Sequence, residues 1–347
     1  MFCLNCQLLL KSKFVKKIIW FFLFFLFLLG SVLAYFYLDF HFLDQGLISP
    51  LGKQGQKGGG QRSLSKYEFS ALAAREFQGS QITLEKVMTE EEKYTSWLFS
   101  FLTDGKKVTG QVNLPKGMGK KPVAVMLRGY ADEEIYFTGL GTRKAAGFLA
   151  ENGFITLAPD FLGFGGSDVS SSDILEARLE KPVTVLNLLA SIKTLPEADS
   201  EKLVFWAHSN GGQIALSVLE ISKKPIPTTL WAPVTKGFPE SVLTFIGELD
   251  DKGLKVKKAI DDFTENYEPE KFSIDHYYAD ITAPLQVHQG TGDQLVAAEW
   301  SDGFVKNLED LGKEVLYWTY KRDDHNLAKN WDLVIQRDLA FFNENLK

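Results

Sequence analysis

Leu203-Val204-Phe205-Trp206-Ala207-His208-Ser209-Asn210-Gly211-Gly212 is an apolar run that ends in a serine and a glycine pair and then passes into a helical pattern. A short continuous run of this kind reads as a strand buried on both faces. Its small-x-Ser-x-Gly ending fits a nucleophile elbow, where the turn from strand to helix is so sharp that the flanking positions must be small and the serine oxygen is lifted above the sheet edge. Ala207 stands where a glycine is usual. Taken alone the pattern is only moderately specific, because Ser209 also reads as a helix cap.

On both sides of this segment strands and helices alternate, the sign of βαβ units and a mostly parallel sheet. Strands are expected at residues 82–88, 94–102, 108–114, 123–127, 154–158, 203–207, 228–231, 285–288 and 315–320. The first three are longer and more mixed, turn through Asp104-Gly105, and should form an antiparallel edge. Helices are expected at residues 66–77, 142–152, 183–194, 212–222, 297–311 and 330–345. Residues 233–280, rich in Lys, Asp and aromatic side chains, interrupt the rhythm between two strands and read as a mostly helical cap insertion.

The order of partners narrows the chemistry. On this kind of fold a triad runs serine, acid, histidine. Of the five histidines, His41 lies beside an apolar segment, His208 precedes the serine, His276 lies in the insertion, and His288 ends a strand ahead of the acid. His325 remains, in the polar loop Lys321-Arg322-Asp323-Asp324-His325-Asn326, just beyond a strand, where catalytic groups collect in open α/β sheets. The acid is best placed at Asp293 in Gln289-Gly290-Thr291-Gly292-Asp293-Gln294, with Asp323 and Asp324 as rivals too close in sequence to orient His325 easily. An oxyanion hole needs two donors. The backbone N–H of Asn210 is one, and that of Tyr130, in Arg128-Gly129-Tyr130-Ala131, is the candidate for the second, with the role of the Tyr130 hydroxyl open. Arg128 also reads as a buried structural arginine paired with a carboxylate such as Asp160.

With these pieces in place, the chain from about Tyr67 onward resembles the catalytic domain of the prolyl oligopeptidase family of α/β-hydrolases, especially compact members without a β-propeller. The resemblance rests on Arg128-Gly129-Tyr130, Pro159-Asp160-Phe161-Leu162-Gly163-Phe164-Gly165-Gly166-Ser167-Asp168, His208-Ser209-Asn210-Gly211-Gly212, Gly290-Thr291-Gly292-Asp293, and Asp324-His325-Asn326 with Trp331 downstream. It implies an α/β-hydrolase fold and a Ser-His-Asp triad serving peptidases, esterases, lactone hydrolases or acyl-transfer enzymes. Ala207 for glycine and Arg128 for histidine depart from the common pattern.

The amino-terminal part is different in kind. Residues 18–38 carry no charge and, at about 1.5 Å per residue, would span roughly 31 Å as a helix. Lys11, Lys13, Lys16 and Lys17 before it, with Asp39 and Asp44 after it, favour a cytoplasmic segment 1–17, a transmembrane signal anchor 18–38 and an extracytoplasmic remainder. Val32 and Ala34 leave open a signal peptide cleaved to release a secreted protein. Residues 39–63, glycine-rich after Pro50, read as a flexible linker, followed by the catalytic domain 64–347 with its cap at about 233–280. Cys3 and Cys6 are the only cysteines, so the domain forms no disulfide, and two thiols cannot close a tetrahedral zinc site.

Composition excludes some partners. The chain has 347 residues and 38 Lys+Arg against 44 Asp+Glu; because residues 1–63 hold 7 basic and 2 acidic residues, the remainder has a formal charge of −11. Such a body lacks the basic footprint that nucleic acid requires. Gly139-Leu140-Gly141 lacks the third glycine of a dinucleotide fingerprint, and no metal or organic cofactor is implied. The expectation is a membrane-tethered serine hydrolase that cleaves a small ester or a peptide through an acyl-enzyme. The alternatives are a carboxylesterase without peptidase activity and a catalytically silent α/β-hydrolase binding scaffold.

Overall fold

The computed structural model describes residues 63–248, 251 and 253–347. The expected anchor 18–38 and nearly all of the linker lie outside these residues. Among the described residues no helix is long and apolar enough to cross a membrane.

The described residues build a nine-stranded sheet: β1 (Thr83–Glu90), β2 (Tyr94–Thr103), β3 (Lys106–Pro115), β4 (Lys121–Leu127), β5 (Ile155–Pro159), β6 (Ala198–His208), β7 (Thr228–Trp231), β8 (Leu285–Gly290) and β9 (Val315–Tyr320), in the order β1-β2-β3-β5-β4-β6-β7-β8-β9. Pairings among β1, β2, β3 and β5 are antiparallel, and all those from β5 through β9 are parallel. The β2–β3 hairpin closes on Asp104 and Gly105, both at positive φ (49° and 80°), the two-residue turn whose twist matches that of the strands. The strand β6 runs five residues further back than the apolar run suggests, because Ala198 pairs with Lys121 ahead of an irregularity in the β4 ladder.

Period-two alternation divides the core into two layers. Val123, Val125, Leu127, Phe205, Leu230 and Val287 face one side, toward α3 (Glu176–Ser191), α4 (Asn210–Ser222) and α7 (Ala298–Asp310). Ala124, Met126, Val204, Trp206 and Trp231 face the other, toward α2 (Arg143–Glu151) and α8 (Trp331–Asn345). Burying each of the larger side chains contributes about 1.5–3 kcal/mol to stability.

Two helices differ from expectation. Residues 66–77 do not form one helix: a 3-10 turn, Leu64–Tyr67, is followed by the short α1 (Phe69–Ala73), because Glu68 takes an extended ψ of 138° between them. The helix expected at residues 183–194 starts earlier, at Glu176, and carries Pro182 inside it. Proline opposes a helix interior, but here Asp173 caps the preceding turn by accepting from the Leu175 and Glu176 amides (2.9 and 3.0 Å), and Glu176 is tied to the Tyr67 hydroxyl. Tertiary contacts therefore override the local break.

Between β7 and β8 the chain forms α5 (Glu240–Leu243), α6 (Leu254–Asn266) and short 3-10 turns. Its aromatic residues pack largely on each other: Phe263 meets Phe238, Phe272 and Tyr267 with ring centroids 4.9–5.1 Å apart. The same group closes over the α4 side of the core.

Candidate active site

Ser209 follows the last residue of β6 and precedes α4, with φ +54° and ψ −122°. A non-glycine residue at such a φ persists only when its surroundings hold it there. Three backbone bonds do so: the Ser209 amide donates to Trp231 O (2.9 Å), and its carbonyl accepts from the Gly212 and Val234 amides (2.9 and 3.0 Å). The glycine pair is a requirement of close approach. A Cβ at Gly211 would lie 2.1 Å from the Leu127 carbonyl oxygen, and one at Gly212 would lie 2.6 Å from Pro233 Cβ. Ala207 needs no such exemption and sits fully buried opposite Leu127 and Leu230.

Gly129 brings the loop after β4 against the serine, since a Cβ there would lie 3.0 Å from Ser209 Cβ and 3.5 Å from Ser209 Oγ. Asn210 opens α4, so its N–H belongs to the first turn, which has no intrahelical acceptor. Neither the Asn210 nor the Tyr130 backbone N–H donates to another group among the described residues. The Tyr130 hydroxyl is occupied: it donates to Asp132 Oδ1 at 2.9 Å, and burial together with that carboxylate pushes its ionisation well above the usual phenol range. Arg128 is buried, but its partner is not the Asp160 carboxylate. It donates to the backbone carbonyls of Gly129 (2.9 Å) and Asp160 (3.2 Å), with the rings of Phe164 and Tyr136 over its guanidinium at 4.3 and 4.5 Å. The Asp160 carboxylate accepts instead from Thr109, Tyr136 and Thr138.

The loops after β8 and β9 bring the acid and the histidine together. His325 Nδ1 lies 2.8 Å from Asp293 Oδ2, and the other Asp293 oxygen accepts from the Leu295 and Val296 amides at 2.9 Å each. Gln289 Nε2 adds a further donor to Oδ2 at 3.2 Å. Burial alone would raise the Asp293 pKa, but the His325 bond and charge and the two amides overcome it and hold the carboxyl below its usual range. An ionised Asp293 accepts a hydrogen bond from Nδ1–H, which keeps that proton on Nδ1 and leaves Nε2 as the basic nitrogen. The two loops are knitted by backbone: Gly292 N–H donates to Asp323 O at 2.9 Å, and a Cβ at Gly290 would lie 2.4 Å from that same oxygen.

The rival carboxylates serve the loop itself. Asp323 accepts from the Asp324, Lys329 and Asn330 amides and from Asn330 Nδ2, while Asp324 accepts from the Asn326 and Ala328 amides. His208 has a part that chain order alone does not reveal. Its Nε2 donates to the His325 carbonyl oxygen at 3.0 Å, and the two rings stand 4.6 Å apart. Burial, with His325 beside it, pushes His208 down to about 3, so it is neutral across the physiological range. Its position as the residue before the serine was the available signal, because that side chain projects from the same strand end. The Ser209 hydroxyl and His325 Nε2 have no hydrogen-bond partner among the described residues; apo sites of this kind often tighten only around substrate. Among the same residues no group of three His, Cys, Asp or Glu side chains is arranged to hold a metal.

Comparison with known proteins follows the same lines. Residues 141–347 match the sequence model described as the prolyl oligopeptidase family. None of the curated proteins compared with the chain matches it by sequence. Among solved structures it is similar to Pyrococcus horikoshii acylaminoacyl peptidase (TM-score 0.54, 19% identity, 74% of this chain and 43% of that one). It is also similar to acetyl xylan esterase 1 from Thermoanaerobacterium sp. (TM-score 0.52, 15% identity, 81% and 96%). A Bacteroides ovatus protein provisionally assigned as a dipeptidyl aminopeptidase IV aligns with a TM-score of 0.57 at 16% identity, over 73% of this chain. This chain spans 36% of that protein. At these identities the likeness is one of fold: a mostly parallel sheet flanked by helices in the α/β-hydrolase arrangement.

Proposed function

Because the chain belongs to the prolyl oligopeptidase family and is a serine hydrolase, we propose that Ser209 is its nucleophile, His325 its general base and acid, and Asp293 the group that orients His325. The observation that carries this is the 2.8 Å contact of Asp293 with His325 Nδ1, which leaves Nε2 available on the loop beside a serine held at positive φ. His325 takes the Ser209 proton as Oγ attacks the scissile carbonyl carbon. The tetrahedral oxyanion is held by the Asn210 and Tyr130 amides, neither of which donates to another group among the described residues. His325 then gives its proton to the leaving alcohol or amine, and water repeats the sequence to release the acid. Asp293 stays ionised throughout and stabilises the imidazolium.

The bond cleaved is an ester or a peptide bond in a small substrate; a carboxylesterase without peptidase activity is the second form of the same reading. Catalysis takes place outside the cytoplasm on a domain held to the membrane by residues 18–38, a proposal supported by their uncharged length and the four preceding lysines. Release after cleavage near Val32 and Ala34 is the other outcome. Alkaline extraction of membranes separates the two, since an anchored chain stays in the pellet and a released one is found outside the cell at lower mass.

The decisive experiment is labelling of the full chain with a serine-directed fluorophosphonate beside Ser209→Ala, followed by turnover of a short acyl ester and a proline-containing amide. Labelling of the parent alone is the expected result. A folded parent that takes no label removes the triad assignment and leaves a binding scaffold.

A further inference from the structure

A cavity of about 40 Å³ lies between α1, α3 and α4, lined by Arg178, Lys181, Asn210, Gln213, Phe238 and Phe272 among others. Asn210, which lines one part of it, is the chain neighbour of the proposed nucleophile Ser209. One water needs roughly 10–15 Å³ of such space, so this volume takes a carboxylate on a short chain and excludes a long acyl group.

Arg178 is the unusual member of the lining. Its Nη2 donates to Gln213 Oε1 and to Ser241 Oγ (3.4 Å), but Nη1 is sealed from solvent and has no hydrogen-bond partner among the described residues. The acidic residues of its own helix are engaged elsewhere: Glu176 pairs with Lys66 at 2.8 Å and Glu180 with Lys106 at 3.6 Å. Gln213 is itself fixed, donating Nε2 to Lys236 O and Ser241 Oγ at 3.1 Å each, which turns its Oε1 toward the guanidinium. A guanidinium does not shed its charge in a protein, and a buried one with an idle N–H is costly to keep. An apolar side chain of similar size would pack more cheaply there. Lys181 follows one turn later on the same face and adds a second positive group to the lining. Burial, with Arg128 and Arg178 nearby, pushes its ammonium down to about 7, against the opposing pull of Glu180 and Glu133.

We propose that this cavity is a carboxylate subsite: the substrate bears, a few bonds from its scissile ester or amide, a carboxylate that accepts from Arg178 Nη1 and lies within the field of Lys181. The inference rests on Ser209 being the nucleophile and adds the substrate class, a half-ester or half-amide of a short dicarboxylic acid or an ester of a short hydroxy acid.

The test uses the full chain and two matched pairs of esters. Monoethyl succinate against ethyl butyrate places the charge on the acyl side; the acetate of 3-hydroxypropanoate against propyl acetate places it on the alcohol side. In one pair the anionic member is expected to have the higher kcat/KM by about tenfold or more, the worth of a charge-assisted hydrogen bond. Arg178→Met brings that ratio to about one or below, and Arg178→Lys restores part of it. Independently of turnover, succinate but not dimethyl succinate raises the melting temperature of the parent and of Ser209→Ala. Ratios near or below one in both pairs, or a ratio that a folded Arg178→Met variant keeps, overturn the subsite. If Arg178→Met does not fold, the parent ratios and the succinate shift decide. A parent that fails to label with fluorophosphonate removes the nucleophile instead, and the succinate shift alone then judges the cavity.

Discussion

Two histidine–carboxylate pairs lie at the β8–β9 end of the sheet, and they differ in what remains of the imidazole. His288, fully buried on β8, donates Nε2–H to Asp338 Oδ1 (3.0 Å) and accepts at Nδ1 from the Tyr320 hydroxyl (2.8 Å). Asp338 also accepts from Thr229 Oγ1, Trp231 Nε1 and Gln286 Nε2. Every polar atom of that ring is spoken for, and the network joins three strands to α8 in the second core layer. His325 commits only Nδ1, to Asp293, at a loop near the end of the sheet. Proximity of an imidazole to a carboxylate is therefore no mark of catalysis by itself. What separates the pairs is a ring nitrogen left without a hydrogen-bond partner among the described residues.

The widest separation is expected from removing each histidine. His325→Ala should lower kcat by about 10⁴-fold or more, as loss of a base acting as a unit with its serine does, while the melting temperature moves little. His288→Ala should do the reverse. It takes one of four donors from the buried Asp338 carboxylate, removes the acceptor of the Tyr320 O–H and leaves a cavity, at a cost of about 3–5 kcal/mol, with kcat of the folded fraction retained. Steady-state kinetics beside thermal melts checks both, and a His288→Ala protein that melts normally but does not turn over would reverse the assignment of the two pairs.

Asp293→Asn comes next. The amide supports the wrong tautomer of His325, so kcat should fall by roughly 10³–10⁴-fold with KM little changed. It also carries a stability signature. The folded-state pKa of Asp293 lies below the unfolded value of about 3.9, so between the two values the folded protein binds fewer protons than the unfolded chain. Its contribution is present above that range and is lost as pH falls through the lower, folded value. Acid unfolding curves of Asp293→Asn should lack this component, and curves that superimpose on those of the parent would contradict the depressed carboxyl.

The elbow provides a smaller and purely steric contrast with the two pairs. Gly211→Ala drives a methyl to within 2.1 Å of the Leu127 carbonyl and should cost about 1–3 kcal/mol of stability as β4 or α4 shifts. The displacement should slow fluorophosphonate labelling of Ser209 even at temperatures where the variant is folded. Labelling at the parental rate would show that the oxyanion loop tolerates the shift.

Much of this architecture was legible from chain pattern because the central strands are buried on both faces and announce themselves as apolar runs. β7 and β9 begin and end where the pattern places them. Chain order and loop placement were also enough to point to Asp293 and His325 as neighbours. What escaped depends on contacts between distant segments. The start of α3 is set by Asp173 and by Tyr67 more than a hundred residues earlier, so Pro182 looked like a boundary. The partner of Arg128 is a backbone oxygen, which no side-chain pattern encodes. The Tyr130 hydroxyl turns to Asp132, and its sequence context is silent on rotamer.

His208 is the finest test of the contrast, because it is a third imidazole that is neither fully committed to a carboxylate nor free for chemistry. One nitrogen supports the His325 backbone, and burial keeps the ring neutral. His208→Phe preserves the stacked ring and removes one hydrogen bond, so kcat should fall only about five- to twelvefold, in line with roughly 1–1.5 kcal/mol. The pH dependence distinguishes a prop from a base. A His whose folded pKa is depressed to about 3 binds fewer protons when folded than when unfolded, so stability is full above the unfolded value of about 6.5 and declines as pH falls below it. His208→Phe should flatten that decline while leaving the acid limb of kcat/KM where it was, as loss of a ring that only supports the neighbouring backbone would. If the limb moves instead, the proton that governs the reaction is shared between the two rings, and His208 belongs to the chemistry rather than to its support.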